Sequence, residues 1–489
     1  MKKYLFYPIV FICLIATGSF AQDAPPAPAA PKPHNVSFGV MGTAEEALDL
    51  GVNSFIFRLN WDDIEPEKGK YELKAFDEII KKIGKKEMNV TCVLTGSTLW
   101  NSSAEKIDDE KKWTFYPPKQ EFYPALADTV SMLAEKYGEK IKYWGVWYQP
   151  DAEGQWLPKP DTKTYTAMLG VCMEALGKVT TGAKLIAGPF KEGLVQDGDT
   201  LKKSEFVAAV NGKKAFSDLG GTVFSAVTVD GEDGMDSYNM SAQMGNSSNS
   251  MPVLGVRFAS KDKNGKTVKF DQEGNLLKAY IMAFAGGASV LYCPVSEPAG
   301  SDESESVGLA AGASKRPAYG AFKSIVKEFD GLEYQSPAPC AEQKIKAFIF
   351  KKKDADFVMV VWTDKEFVNQ FKDKKAYVSI GFQYPDNVKT VNTRTIDKPK
   401  ETLKQRNGFC SFAVSDEPLL VDINTTSIDL VMGQVDRFDP DYQPAWTQKN
   451  VIVNPGKWKP PAGKPGKPGG GLKPGGGKPG GGKPGGGKK

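Results

Sequence analysis

Eight short apolar runs punctuate residues 35–331: Val36–Val40, Phe55–Leu59, Val90–Leu94, Ile141–Trp147, Lys184–Ile186, Val223–Val229, Val253–Phe258 and Ser289–Val295. Each is apolar almost throughout rather than at alternate positions, the pattern of a parallel strand buried on both faces. Helical stretches separate them, among them Lys74–Ile83, Tyr123–Lys136, Tyr165–Leu176, Leu276–Phe284 and Ala318–Phe329. Within Tyr165–Leu176, Met168, Cys172 and Leu176 recur every four residues and form one apolar stripe. Eight strand–helix units predict an α/β fold of the closed (β/α)8 type, a TIM barrel, which needs roughly 250 residues or more. A doubly wound open sheet is the alternative, but no glycine-rich phosphate loop follows an early strand.

From 332 to 426 the pattern changes to strands without long helices. Ala347–Phe350, Phe357–Thr363, Ala376–Phe382, Thr390–Thr395, Phe409–Val414 and Leu419–Ile423 alternate with turns, which predicts a small all-β sandwich domain. Residues 427–455 read as an irregular extension. Residues 456–489 hold three Lys-Pro-Gly-Gly-Gly units beginning at Lys473, Lys478 and Lys483, a composition expected to be disordered. The period of five excludes collagen. At the other end, a basic start, the apolar Leu5–Ile15 and the small residues of Ser19-Phe20-Ala21 predict a signal peptide over 1–21. A Pro/Ala-rich linker occupies 22–34 and the barrel 35–331. The expected location is therefore secreted, periplasmic or extracellular, with no transmembrane helix in the mature chain.

Charge and rare residues narrow the chemistry. The formal charge is +4, but nine lysines and no acid lie in 457–489, and two more lysines precede the apolar start. Without those eleven the remainder carries −7, so a mildly acidic body bears a basic tail. Such a tail suits an anionic envelope or extracellular polymer; nucleic acid is not expected for an exported chain whose tail has one aromatic, Trp458. His34, the one histidine, sits in the proline-rich leader. That removes Ser-His-Asp and Cys-His catalysis and histidine metal sites from the body, and no cofactor or metal is expected. Cys13 lies inside the apolar start. Of the others, Cys92, Cys172, Cys293, Cys340 and Cys410 are widely spaced, and Cys340 with Cys410 is the pair that could join in an oxidising compartment.

After the second run stands Arg58-Leu59-Asn60-Trp61-Asp62-Asp63-Ile64-Glu65-Pro66-Glu67-Lys68-Gly69-Lys70-Tyr71. It resembles the W-x-x-I-E-P-x-x-G-x-Y stretch of clan A retaining glycoside hydrolases, especially those like family 39. After the fourth run stands Trp144-Gly145-Val146-Trp147-Tyr148-Gln149-Pro150, where that clan has W-N-E-P and the Glu is the general acid/base. After the seventh, Pro252-Val253-Leu254-Gly255-Val256-Arg257-Phe258-Ala259 is similar to P-x-W-x-T-E-F-G, with Arg257 on the nucleophile. Val307-Gly308-Leu309 and Lys315–Tyr319 resemble the run into the last helix. The resemblance spans Val36 to Phe329 and implies a barrel followed by a β-sandwich.

The residue types then decide the chemistry. Retaining hydrolysis needs two carboxyls about 5–5.5 Å apart, one giving a proton and one attacking the sugar. An amide at Gln149 has no proton to give, and such help is worth roughly 10²–10⁴-fold. Arg257 stays protonated and cannot attack. Both catalytic glutamates being replaced, the expectation is a catalytically inactive glycoside-hydrolase-like protein that binds carbohydrate at the barrel mouth. Arg58, Trp61, Trp100, Tyr148, Gln149, Trp156, Asp230, Arg257 and Tyr292 are the candidate ligand-binding residues, the aromatics for sugar faces and the polar groups for hydroxyls. Trp113 and Tyr116 join the aromatics at strand ends, while Trp144 and Trp147 read as core. An arginine facing the ligand favours an acidic glycan. Asp230 is the expected ion partner of Arg257. Two alternatives stand beside this reading. One is an active hydrolase with relocated carboxylates drawn from Asp62, Asp63, Glu65, Asp151, Glu153, Asp230, Glu232, Asp233 and Glu297. The other is a structural exported protein with no sugar ligand.

Overall fold

The computed structural model describes residues 31–435, apart from 85, 107–110, 192, 198–199, 213–215, 217–218, 229–249, 298–305, 339–343, 354–355, 372–373, 383–384, 397, 406–407 and 426–429. Eight parallel strands close into a barrel: β1 (Ser37–Met41), β2 (Ser54–Asn60), β3 (Asn89–Thr95), β4 (Ile141–Val146), β5 (Lys184–Phe190), β6 (Gly221–Thr228), β7 (Ser250–Val256) and β8 (Val290–Pro294). They pair in chain order, and β8 closes on β1 with Tyr292 opposite Gly39. All eight apolar runs fall on these strands.

Their continuous apolarity follows from the two layers they separate. Ile56, Val93, Ile186, Val223, Val253 and Tyr292 point inward and fill the barrel. The intervening Phe55, Phe57, Cys92, Leu94, Trp144, Leu254 and Leu291 point outward, into one cluster with the helices. Barrel volume is shared between neighbours: a Cβ on Gly39 would lie 2.4 Å from the Tyr292 ring, so the glycine makes room for the tyrosine.

The helices are α1 (Ala44–Leu50), α2 (Lys74–Ile83), α3 (Tyr123–Tyr137), α4 (Thr162–Leu176), α5 (Glu205–Asn211), α6 (Gln272–Ala285) and α7 (Pro317–Phe329). Their starts are set by local chemistry. Thr43 and Glu46 form a capping box on α1, Asp161 caps α4, and Pro317 opens α7. The stripe Met168, Cys172 and Leu176 of α4 is buried, as its spacing predicts.

Beyond α7 lie β9 (Glu333–Pro337), β10 (Ile345–Lys351), β11 (Phe357–Thr363), β12 (Ala376–Phe382), β13 (Thr390–Arg394), β14 (Glu401–Thr402), β15 (Phe409–Val414), β16 (Leu419–Asn424) and β17 (Leu430–Val435). The larger sheet runs His34–Asn35, β9, β10, β11, β16, β13, β14; the smaller is β15, β12, β17. The sheet between them and the barrel is buried on both faces. Phe348, Phe350, Val358, Val360 and Trp362 join the barrel's outer cluster. Ala347, Ile349, Phe357, Met359 and Val361 face the smaller sheet. Barrel, large sheet and small sheet thus form successive layers around continuous apolar contacts.

Two boundaries move. Leu430–Val435, read as irregular extension, pairs along β12 from Tyr377 to Phe382, because the small sheet has an edge there to fill. His34 and Asn35, read as the end of a linker and the start of the barrel, pair with Tyr334 and Glu333 of β9. The His34 ring lies 5.3 Å from that of Tyr334 and meets the Ala288 carbonyl at 3.0 Å. Cys410 is a free thiol buried on β15, and Cys340 lies outside the described residues. Cys92, Cys172 and Cys293 are also free, and burial pushes their thiols up. Their place is in the core, which makes them inert. The residues read as tail lie outside the described residues. No helix among those described is long and apolar enough to cross a membrane.

Candidate functional site

A cavity of about 530 Å³ opens at the C-terminal ends of the barrel strands. Its walls come from β1 to β4, the segments that follow them, and Ser296 after β8. Strand alternation explains which side chains enter. Ile56 points into the barrel, so Arg58 and Asn60, two and four residues on, point the same way at the mouth. On β3 the same parity carries Val93 to Thr95.

The segment after β4 is held in an unusual shape. Trp147 and Gln149 have φ of 68° and 49°, left-handed values that side chains seldom adopt. Lys111, also lining the cavity, has φ 55°. Of the four such residues among those described, three are therefore at or beside this mouth. Backbone bonds hold the turn: Trp147 N donates to Leu94 O at 2.7 Å, Tyr148 N to Thr95 Oγ1 at 3.0 Å and Gln149 N to Pro189 O at 2.8 Å. The Trp147 indole N–H donates to Gln155 O at 2.8 Å.

Tyr148 packs against the apolar interior of the barrel, and the Arg58 guanidinium lies over its ring, 4.5 Å from the centroid. Burial raises the Tyr148 phenol above its ordinary pKa; the Arg58 charge works against that and Asp151 with it. The two acids of the cavity are engaged. Asp62 accepts from Lys111 Nζ at 3.0 Å, which raises the lysine's pKa, and Asp63 accepts from Asn60 Nδ2 at 2.8 Å. Thr95, Ser97, Thr114 and Gln155 add neutral donors and acceptors, and Phe115 and Trp147 add flat apolar surface.

The candidate residues divide sharply. Arg58 and Tyr148 line the cavity. Gln149 is the third residue after β4 and Arg257 the first after β7; both are half-buried and neither is a lining residue. The buried Nε of Arg257 has no hydrogen-bond partner among the described residues. Asp230, its expected partner, lies outside the described residues, as do Glu232 and Asp233, and for Glu297 the backbone alone is described.

Trp61, Trp100, Trp156 and Tyr292 are not lining residues, for one physical reason: each is taken up by packing. Trp61 is fully buried, and its N–H donates to Glu65 Oε2 at 2.8 Å. Trp100 meets Trp61 and Phe122 edge-on and donates to Glu65 O. Trp156 lies tilted against Trp147, ring centroids 5.0 Å apart, and meets Tyr165 edge-on. Tyr292 fills the barrel interior, where burial pushes its phenol up to about 12.

The acids Glu65 and Asp151 are bound to structure rather than presented. Glu65 is buried and accepts from Trp61, Thr129 and Gly69 N, and Asp151 accepts from Lys191 N. Trp147, read as core, is buried there and also borders the cavity, while sequence reasoning missed Asn60, Thr95, Lys111, Thr114 and Gln155. Their only signal is position just past a strand end. For Lys111 and Thr114 even that is lost in a long connection. No group of three His, Cys, Asp or Glu side chains among the described residues could hold a metal ion.

No family model matches the chain, and no curated protein does. Solved structures do. A family 39 glycoside hydrolase from the gut symbiont Bacteroides cellulosilyticus superposes with TM-score 0.55 at 15% identity, over 81% of each chain. A GH30 endoxylanase from Clostridium papyrosolvens gives 0.53 at 12%, over 81% of this chain and 98% of that one. A glucosidase from Croceicoccus marinus gives 0.51 at 10%, over 82% and 98%. The architecture is that of glycoside hydrolases of the family 39 and 30 kind, barrel and β-sandwich together.

Proposed function

We propose that this chain is a secreted glycoside-hydrolase-like protein that binds carbohydrate at the barrel mouth and does not cleave it. The observation that carries the reading is the mouth itself. An amide follows β4 and an arginine follows β7, beside a cavity of polar hydrogen-bonding groups and aromatic surface. Strained backbone at Lys111 and Trp147 supports a ligand role, since such conformations concentrate at functional sites. A cavity of this size falls within the roughly 300–1,000 Å³ of small-ligand sites.

Turnover and binding are tested on one panel of aryl glycosides and oligosaccharides. The expected result is no hydrolysis, with a rise in melting temperature for at least one sugar. Steady hydrolysis by the unaltered chain overturns the reading. Restoring both acids (Gln149→Glu with Arg257→Glu) is the sharper probe: cleavage gained by that variant alone locates the lost chemistry at these two positions.

A second reading, hydrolysis by relocated carboxylates, draws on Asp62 and Asp63, which both line the cavity. Asp63→Asn would then abolish turnover. The lysine-rich tail is proposed to tether the protein to an anionic polymer of the envelope. Retention that is lost with salt and lost on deleting 457–489 supports that tether.

A further inference from the structure

Arg58 is the one cavity-lining cation with no carboxylate partner among the described residues. Lys111, the other, is joined to Asp62, and Asp63 is held by Asn60. The Arg58 side chain is not loose for lack of a partner. It emerges from β2 on the mouth side and lies with its guanidinium 4.5 Å over the Tyr148 ring. One face of the planar fork is thereby fixed, while its N–H groups remain available at the cavity. A guanidinium oriented in this way is preorganised for two parallel hydrogen bonds to a carboxylate, a match that an ammonium cannot make.

Charge sets the number of anions. The cavity carries two cations and two acids, and one acid is neutralised by Lys111. Asp63 stays as an acceptor for hydroxyls and repels further negative charge. From this we infer that the cavity takes a sugar bearing one carboxylate, a uronate residue, paired with Arg58, rather than a densely sulfated chain. The inference rests on the carbohydrate-binding reading and names its ligand class.

Calorimetry on the full chain with a galacturonate or glucuronate oligosaccharide, its methyl ester and the corresponding neutral sugar tests it. The acid should bind about tenfold or more tighter than the ester, the value of a charge-assisted pair. Arg58→Gln and Arg58→Lys should remove that margin, bringing acid and ester to within about threefold of each other. The paired variant Lys111→Gln with Asp62→Asn should keep the margin, because it removes Lys111 and the acid it serves together. Equal binding of acid, ester and neutral sugar overturns the uronate assignment and leaves carbohydrate binding intact. A margin lost in that paired variant but kept in Arg58→Gln overturns the assignment to Arg58. If none of the sugars binds, the carbohydrate reading falls and this inference with it. Unchanged melting of each variant without ligand shows that the fold is not the cause.

Discussion

Arg394 and Arg58 are two arginines beside apolar layers with opposite surroundings. Arg394, at the end of β13, is largely buried between sandwich and barrel. It donates through Nε to Asp422 Oδ2 at 2.8 Å and through Nη2 to Glu328 of α7. Lys352 Nζ reaches Asp422 Oδ1 at 2.7 Å, and Lys400 reaches the same carboxylate at 3.4 Å. Arg58 has no such company among the described residues: an aromatic ring lies beneath it and it lines the cavity. The closed cluster ties the sandwich to the barrel helix; the open cation faces the cavity. The contrast shows that pairing, more than charge, separates an arginine bound into the structure from one left facing a cavity.

The largest effect should come from the apolar contact between sandwich and barrel. Trp362→Ala, on the barrel-facing side of β11, should cost about 4 kcal/mol through the cavity it leaves, measured by denaturant unfolding. Arg394→Leu follows at about 3 kcal/mol, since it strands Asp422 and Glu328 without their main donor. A loss under about 1 kcal/mol would make the cluster as dispensable as a surface pair and erase the comparison.

Acid sharpens it further. Burial acts to raise the Asp422 carboxyl, but hydrogen bonds from Arg394 and Lys352, with their charges, outweigh it and hold the group well below the ordinary range. A depressed carboxylate contributes stability above its unfolded pKa, about 3.9, and loses it as pH falls through the folded value. Asp422→Asn should therefore weaken the protein at neutral pH, and the gap to the unaltered chain should close below about pH 4. A gap constant with pH would separate the cluster from proton linkage. Smallest of all, Arg58→Gln should change stability by less than about 1 kcal/mol, the scale of its stacking on Tyr148. Only ligand response should distinguish that variant.

The eight strands were legible because closure of a parallel barrel buries both faces of each strand, and unbroken apolar runs record that directly. The same reasoning separated the sandwich from the barrel but missed Leu430–Val435, whose strand state depends on a free edge of β12. At the mouth, sequence found Arg58 near the C-terminal end of β2 and Tyr148 just past the end of β4. It also offered Trp61, Trp156 and Tyr292, because nothing local distinguishes an aromatic that faces solvent from one that its neighbours cover.

What the chain determined alone is therefore its periodicity: the barrel, its order, and the residue types standing after β4 and β7. What only the folded arrangement decided is which side chains share space. Glu65 accepts from Trp61, Thr129 lies 64 residues further on, and Lys111 closes on Asp62 across two connections. Such pairings are long-range and set by packing, so no local pattern encodes them, and they leave Arg58 turned toward the cavity over the Tyr148 ring.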